Sequence, residues 1–370
     1  MLEAYFNPIS ESITAPFKGK KHTLGAKIKL HNSSFPKLNK TKIAIFGLQE
    51  SANLIRTQLY ALNWRFDNIE IVDLGNLVDI SDIKQREFAF SEALGELNQL
   101  NINCIVLGDN QGMLFSQYHA YRNHSEPIEI VNICSGLSFE NDTELYRIVT
   151  HNKNHHLFNI DFVGTQAYNI SANTASILEK LYFENHRLGN IRAQIEETEP
   201  VLRSSHLMMF DLNAIRSADA AAISNPSPNG FYAEEAAKIA RYAGLSNKLS
   251  SAYFYGFNPD SSIHSENSIQ QTSLLIAQMI WYYIEGFTTR YNDHPSPGDS
   301  DYLIYRNKLE NTGHEITFYK SRKSNRWWME IPHPYENNSF YIGCSYNDYL
   351  MVSNGEMPDR WWRAYQRFIV

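Results

Sequence analysis

The sequence predicts a three-layer α/β/α fold with a mainly parallel sheet, followed by a smaller β-rich C-terminal extension. Short apolar or β-branched runs recur at 42–46, 69–74, 104–107, 128–133, 157–163, 207–212 and 252–255. Segments with helical spacing separate them, at 83–100, 175–186 and 233–242 among others. Strands that are apolar on both faces and alternate with helices belong to parallel sheets covered on both sides. After residue 291 the character changes to alternating, aromatic-rich runs.

Within 83–100, Phe88, Phe90, Ala93, Leu94, Leu97 and Leu100 are expected to form one apolar face. Segment 271–287 reads as a long helix. Its residues Leu274, Leu275, Met279, Trp281, Tyr282, Ile284 and Phe287 surround the axis, which predicts deep burial. Residues 292–301, rich in Pro, Gly, Ser and Asp, have the composition of a linker. Beyond them, 315–319, 327–331 and 340–344 alternate as antiparallel strands do, and 359–368 reads as a closing helix after Pro358. The expected division is an arm at 1–40, an α/β domain at 41–291 and an extension at 292–370. Trp327, Trp328, Trp361 and Trp362 concentrate aromatic surface in that extension, as seam packing or as a docking surface.

A chain of 370 residues with 43% apolar and 20% charged content is long and apolar enough for a sizeable core. Its net charge of -7 argues against whole-protein attraction to nucleic acid or an anionic membrane. The basic stretch from Lys18 to Lys42 reads as a solvated arm. Cys104, Cys134 and Cys344 have no paired spacing, so a reducing compartment is expected. The N-terminus lacks signal-peptide character, and 273–287 is too short to span a bilayer, so the cytoplasm is the expected location. Gly47, Gly75 and Gly108 each stand alone, which gives no support for a nucleotide site.

In parallel sheets, ligands bind beyond the carboxyl ends of the strands. Three strand ends stand out here: Leu107-Gly108-Asp109-Asn110-Gln111-Gly112, Val131-Asn132-Ile133-Cys134-Ser135-Gly136 and Phe210-Asp211-Leu212-Asn213. Their order and surroundings resemble the arginase/agmatinase/formimidoylglutamase (ureohydrolase) family. Asp73-Leu74-Gly75, the run 161–166, the loop-to-helix segment 227–235 and its continuation 239–246 also match that frame. With the Trp-rich tail, the resemblance points to a formimidoylglutamase-like branch and spans residues 40–290, the tail being shared with that branch only.

The resemblance implies two manganese ions held past these strands by GGDHS, DAHxD and SxDxD motifs. Such a pair of cations lowers the pKa of a bridging water and supplies hydroxide to attack a guanidinium or formimino carbon. This chain departs from the pattern. Neither frame of the first motif offers a histidine, since Asn110 or Gln111 stands there. Asn132, Cys134 and Gly136 replace Asp, His and Asp. Asp211 keeps the family's residue, Asn213 replaces an aspartate, and Gly256 replaces the acidic residue ahead of Asn258-Pro259. Neutral amides and one carboxylate do not offset two dications, so no metal cofactor is expected, with Asp211 as the ligand if one ion is held.

Cys134 is conceivable as a thiolate nucleophile, but no histidine stands at dyad spacing, and an inert buried thiol is the simpler reading. His151, His155 and His156 have i, i+4 spacing within a polar segment that reads as a loop. The expected function is therefore that of a non-catalytic ureohydrolase-fold protein. The resemblance implies a homo-oligomer, with a protein partner conceivable through the extension. The alternative is a hydrolase of linear amidines with a rebuilt manganese site.

Overall fold

The computed structural model describes residues 2–108, 112–151, 156–296, 300–310, 313–335 and 339–369. Its main sheet has ten strands: β1 (Phe6–Asn7), β2 (Lys29–Leu30), β3 (Ile43–Gly47), β4 (Ile71–Leu77), β5 (Asn103–Leu107), β6 (Ile128–Ile133), β7 (Leu157–Thr165), β8 (Glu184–Arg187), β9 (Leu207–Asp211) and β10 (Ser251–Tyr255). Their order is β1-β4-β3-β5-β10-β9-β6-β7-β8, with β2 beside β4. β1 runs antiparallel to β4, and the other pairings described within this sheet are parallel. The central strands are buried along their length, which is why they read as continuous apolar runs.

Alternation sends Ile43, Ile45, Ile105, Val131, Met208 and Phe210 to one face, against helices Ala52–Ala61, Ala233–Leu245 and Glu266–Thr288. Phe46, Val72, Cys104, Ile130, Phe162 and Met209 go to the other, against Ile83–Gln99, Leu114–His119 and Glu144–Thr150. The result is the expected three-layer fold. Helices 233–245 and 266–288 approach backbone to backbone. A Cβ on Gly244 would lie 2.1 Å from the Tyr283 carbonyl oxygen, and one on Gly286 would lie 2.2 Å from that of Arg241.

Two helical faces differ from expectation. Phe88 and Leu100 are 60% and 56% exposed, because the buried stripe of helix 83–99 runs through Phe90, Ala93, Leu94 and Leu97. Tyr282 is 40% exposed, so helix 266–288 keeps one flank open to solvent.

The helix expected at 175–186 stops early, spanning Ala172–Lys180. Tyr182 takes a left-handed φ of 55°. Phe183 N–H then donates to Leu178 O (3.0 Å) and Tyr182 N–H to Glu179 O (3.2 Å). This is a Schellman ending with tyrosine where glycine usually stands. The chain that follows becomes edge strand β8, whose polar Glu184-Asn185-His186-Arg187 carries no hydrophobic alternation.

At the start of the chain, Phe6, Phe17, Leu24 and Ile28 are buried while Lys18, Lys20, Lys21, Lys27 and Lys29 are exposed. The lysines are solvated, and the apolar residues between them tie the segment to the sheet.

The extension forms a separate antiparallel sheet of β11 (Tyr302–Lys308), β12 (Glu315–Ser321), β13 (Trp327–Pro332) and β14 (Ser339–Cys344), followed by helices Tyr346–Ser353 and Asp359–Arg367. Strand β11 and helix 346–353 were not legible from periodicity. Trp361, Trp328 and Trp327 are buried and Trp362 is 40% exposed, so three of the four tryptophans pack inward. Arg203, on helix Thr198–Ser204, donates to Trp327 O (2.9 Å) and Cys344 O (3.2 Å) and lies 4.2 Å from the Trp328 ring centre. The cation over Trp328 therefore comes from the main domain, whereas Trp327 has Lys320 of β12 at 5.3 Å from its ring centre.

Candidate functional site

The carboxyl ends of β5, β10, β9 and β6 lie side by side where the strand order reverses, the position at which parallel sheets bind ligands. Asn110 and Gln111, with Asp109, lie outside the described residues. The other positions singled out by sequence converge. Tyr255 is paired with Asp211 across β10 and β9, and Ile133 with Phe210 across β6 and β9, which brings Cys134 beside Asp211.

Asp211 ends β9 and caps the turn after it. Its Oδ1 accepts from Asn213 N–H (2.9 Å) and from Asn213 Nδ2 (2.6 Å). Asn213 Oδ1 in turn accepts from Asn225 N–H (2.7 Å). Burial pushes the Asp211 carboxyl up to about 6, against the two Asn213 hydrogen bonds, which favour its charged form.

Gly256 has φ 92°, and a Cβ there would stand 2.8 Å from Asp211 Oδ1 and 3.0 Å from Asn213 Nδ2. Glycine thus lets the Asp211–Asn213 pair lie against the backbone that follows β10. Asn132 is buried on β6, and among the described residues its Oδ1 has no hydrogen-bond partner. Cys134 is buried as well; burial and then the Asp211 charge raise its thiol, which keeps it protonated. A Cβ on Gly136 would lie 2.6 Å from that of Asn169, so the loop after β7 closes over this position.

Tyr253 and Tyr255 were not singled out from the sequence. Their rings lie 5.4 Å apart, tilted by 35°, on the same face as Cys134. Tyr253 fills the space over Gly108, where a Cβ would meet its ring at 2.4 Å, and its hydroxyl accepts from Met113 N–H (3.2 Å). The alternation Tyr253-Phe254-Tyr255 could have flagged the pair, because tyrosine facing a strand-end cluster brings hydroxyls to it.

Beside this rim lies a cavity of about 440 Å³ lined by Gln166, Tyr168, Arg187, Arg192 and Asn229, among others. Asn229 Nδ2 donates to Gln166 Oε1 (2.7 Å), and the Tyr168 hydroxyl donates to the same oxygen. Arg192 pairs with Glu235 (3.1 Å) and lies over the Tyr232 ring.

Other sequence candidates fall elsewhere. Asp73 is fully buried in an ion pair with Arg56 (2.9 Å) and accepts from the Tyr60 hydroxyl (2.8 Å), a structural role. His155 lies outside the described residues, and His156 Nε2 meets Tyr121 O (2.6 Å). A further cluster, not foreseen, joins Asp161 of β7 with Glu184 and His186 of β8. Burial and then the Asp161 charge hold the Glu184 carboxyl above its usual range.

Solved structures with the same architecture are formiminoglutamase from Trypanosoma cruzi with Mn2+ (TM-score 0.62, 15% identity, 70% of this chain and 96% of that one). Formimidoylglutamase from Bacillus subtilis matches with TM-score 0.57 at 15% identity, over 68% of this chain and 88% of that one. Agmatine ureohydrolase from Thermoplasma volcanium matches with TM-score 0.54 at 16% identity, over 68% and 92%. No sequence-family model matches the chain, and no curated protein matches it. The chain therefore has the arginase-like ureohydrolase fold, as its strand ends suggested. Among the described residues, no helix is long and apolar enough to cross a membrane.

Proposed function

We propose that this chain is a ureohydrolase-fold protein that has lost binuclear manganese binding and amidine hydrolysis, and that it acts by binding. The observation that carries this reading is the state of Asp211. Its Oδ1 is already engaged twice by Asn213, and Gly256 backs against the pair. The remaining described donors are the Asn132 carbonyl oxygen and the protonated Cys134 thiol. Two dications need several anionic or imidazole ligands to offset their charge and desolvation. One carboxylate, one amide and one thiol do not fit that pair, so no hydrolytic step is routed through it.

In this reading the rim is a scaffold of neutral polar and aromatic groups, and the chain works through association, with its own copies or with a partner at the C-terminal extension. The test is metal analysis of the native protein together with urea and formamide release from arginine, agmatine and N-formimino-glutamate. The expected result is no manganese at the strand ends and no release. About two manganese per chain, lost on Asp211→Asn and accompanied by release of product, overturns it.

A further inference from the structure

We propose that Asp161, Glu184 and His186 form a binding site for a single divalent transition-metal cation, with Zn2+ the best match. The three donor atoms lie within 4.8 Å of one another. Register places Asp161 of β7 opposite Glu184 of β8, and His186 follows two residues on, on the same side of the strand. His186 Nε2 is 3.5 Å from Glu184 Oε2 and 3.6 Å from Asp161 Oδ1. These gaps are long for a hydrogen bond. They are close to the spacing of about 3.4 Å between neighbouring ligands in a tetrahedron with metal bonds of about 2.1 Å.

The Nε2 atom is itself buried and, among the described residues, has no hydrogen-bond partner. Glu184 is only 8% exposed, and its nearest recorded partner is that same nitrogen. A buried imidazole nitrogen aimed between two carboxylates, and bonded to neither, is arranged for a shared cation.

The surroundings orient these ligands. Asn159 Nδ2 donates to Asp161 Oδ2 (2.9 Å), which leaves Oδ1 facing His186. Asn159 is held in turn by Arg367 Nη1, which donates to its Oδ1 (2.8 Å). Such second contacts fix ligand orientation in metal sites. Arg367 also donates to Tyr182 O (2.7 Å), so its recorded hydrogen bonds go to neutral acceptors. Its charge and that of Arg360 still act on Glu184 through space, and that of Glu129 lies beyond Asp161. Two carboxylates and one imidazole suit Zn2+, with water completing the shell. The His186 side chain is 20% exposed, which provides an entry path.

The site is independent of the strand-end reading. Asp161 pairs with Val131 on the face that carries Met208, whereas Cys134 lies on the opposite face.

The experiment is calorimetry of chelator-stripped full-length protein with ZnCl2, and Co2+ as a spectroscopic probe of coordination. Wild type is expected to take up one Zn2+ per chain and to show visible Co2+ bands of low coordination number. His186→Ala and Asp161→Asn are expected to weaken binding about 100-fold or more, and Asn159→Ala about 10-fold. Asp211→Asn is expected to leave it unchanged. Circular dichroism checks that each variant is folded, and Glu184→Gln replaces any that is not. No uptake by wild type overturns the proposal, as does uptake with unchanged affinity in the His186 and Asp161 variants. Loss of Zn2+ in Asp211→Asn alone would instead count against the strand-end reading.

Discussion

At the carboxyl rim of the sheet, Asp211 turns back onto Asn213, and its neighbours Asn132, Cys134 and Tyr255 carry no charge of their own. Beneath the C-terminal extension the chain does the reverse. Glu129 pairs with Lys248, Glu199 sits between Arg203 (3.1 Å) and Arg326 (3.2 Å), and Arg363 and Arg367 reach the carbonyls of Phe183 and Tyr182. The rim holds one buried carboxylate among neutral groups, whereas the seam holds several buried ions. The contrast indicates that this chain keeps its costly buried ions at structural contacts, the extension seam and the Asp73–Arg56 pair among them, rather than at the strand ends.

If that contrast is right, the seam is where substitution costs most. Trp361 is fully buried and its Nε1 donates to Glu330 O (3.0 Å). Trp361→Ala is expected to destabilise by about 3–5 kcal/mol, seen as an early unfolding transition of the extension in denaturant with tryptophan fluorescence. Arg203→Leu should follow at about 3 kcal/mol, because it strips Glu199 of one of its two guanidinium partners and removes the Arg203 donors to the Trp327 and Cys344 carbonyls. A cost under about 1 kcal/mol for both would make the seam an ordinary surface contact.

The rim should respond in the opposite direction. The Asp211 carboxyl ionises at about 6 in the folded chain, and near 3.9 when unfolded. Between those values the native state holds more protons than the unfolded state, so stability falls as pH rises through the window. Asp211→Asn keeps the acceptor for Asn213 and removes the buried charge. It is expected to raise stability at pH 8 by about 1–3 kcal/mol and to abolish the fall between pH 4 and 6 in urea titrations. Equal stability of variant and wild type at pH 8 would mean that Asp211 is a solvated carboxylate. Gly256→Ala is the smaller perturbation, about 1–2 kcal/mol by thermal melting, since it strains a φ of 92° and presses on Asp211. A neutral outcome there would loosen the packing assigned to the pair.

Much of the architecture was legible because central parallel strands are apolar on both faces, and their runs at 43–47, 103–107 and 128–133 stand out from any background. The edges were not. β1, β2, β8 and β11 lie at or beyond the margin of a sheet, and β8 consists of Glu184-Asn185-His186-Arg187. Its boundary depends on Tyr182 taking a glycine-like conformation, whose carbonyl is held by Arg367 from far along the chain. No local pattern encodes that. Asn132, Cys134, Asp211 and Asn213 could be singled out because each lies at or just past the end of a recognisable strand, while Tyr253 and Tyr255 passed as ordinary strand residues.

The sequence alone determined the layered fold, since that depends on residue type and short-range spacing, and its resemblance to the ureohydrolase family singled out the strand ends where neutral residues stand. Only the tertiary structure decided that Asp211 is satisfied by Asn213, that Asp161, Glu184 and His186 meet, and that Arg203 underlies Trp328. Such meetings follow from register between strands and from the docking of the extension, which joins residues as far apart as Arg367 and Asn159, 208 positions. Hydrophobic periodicity reports which face of an element is buried, and it carries no information about which distant polar group will be waiting there.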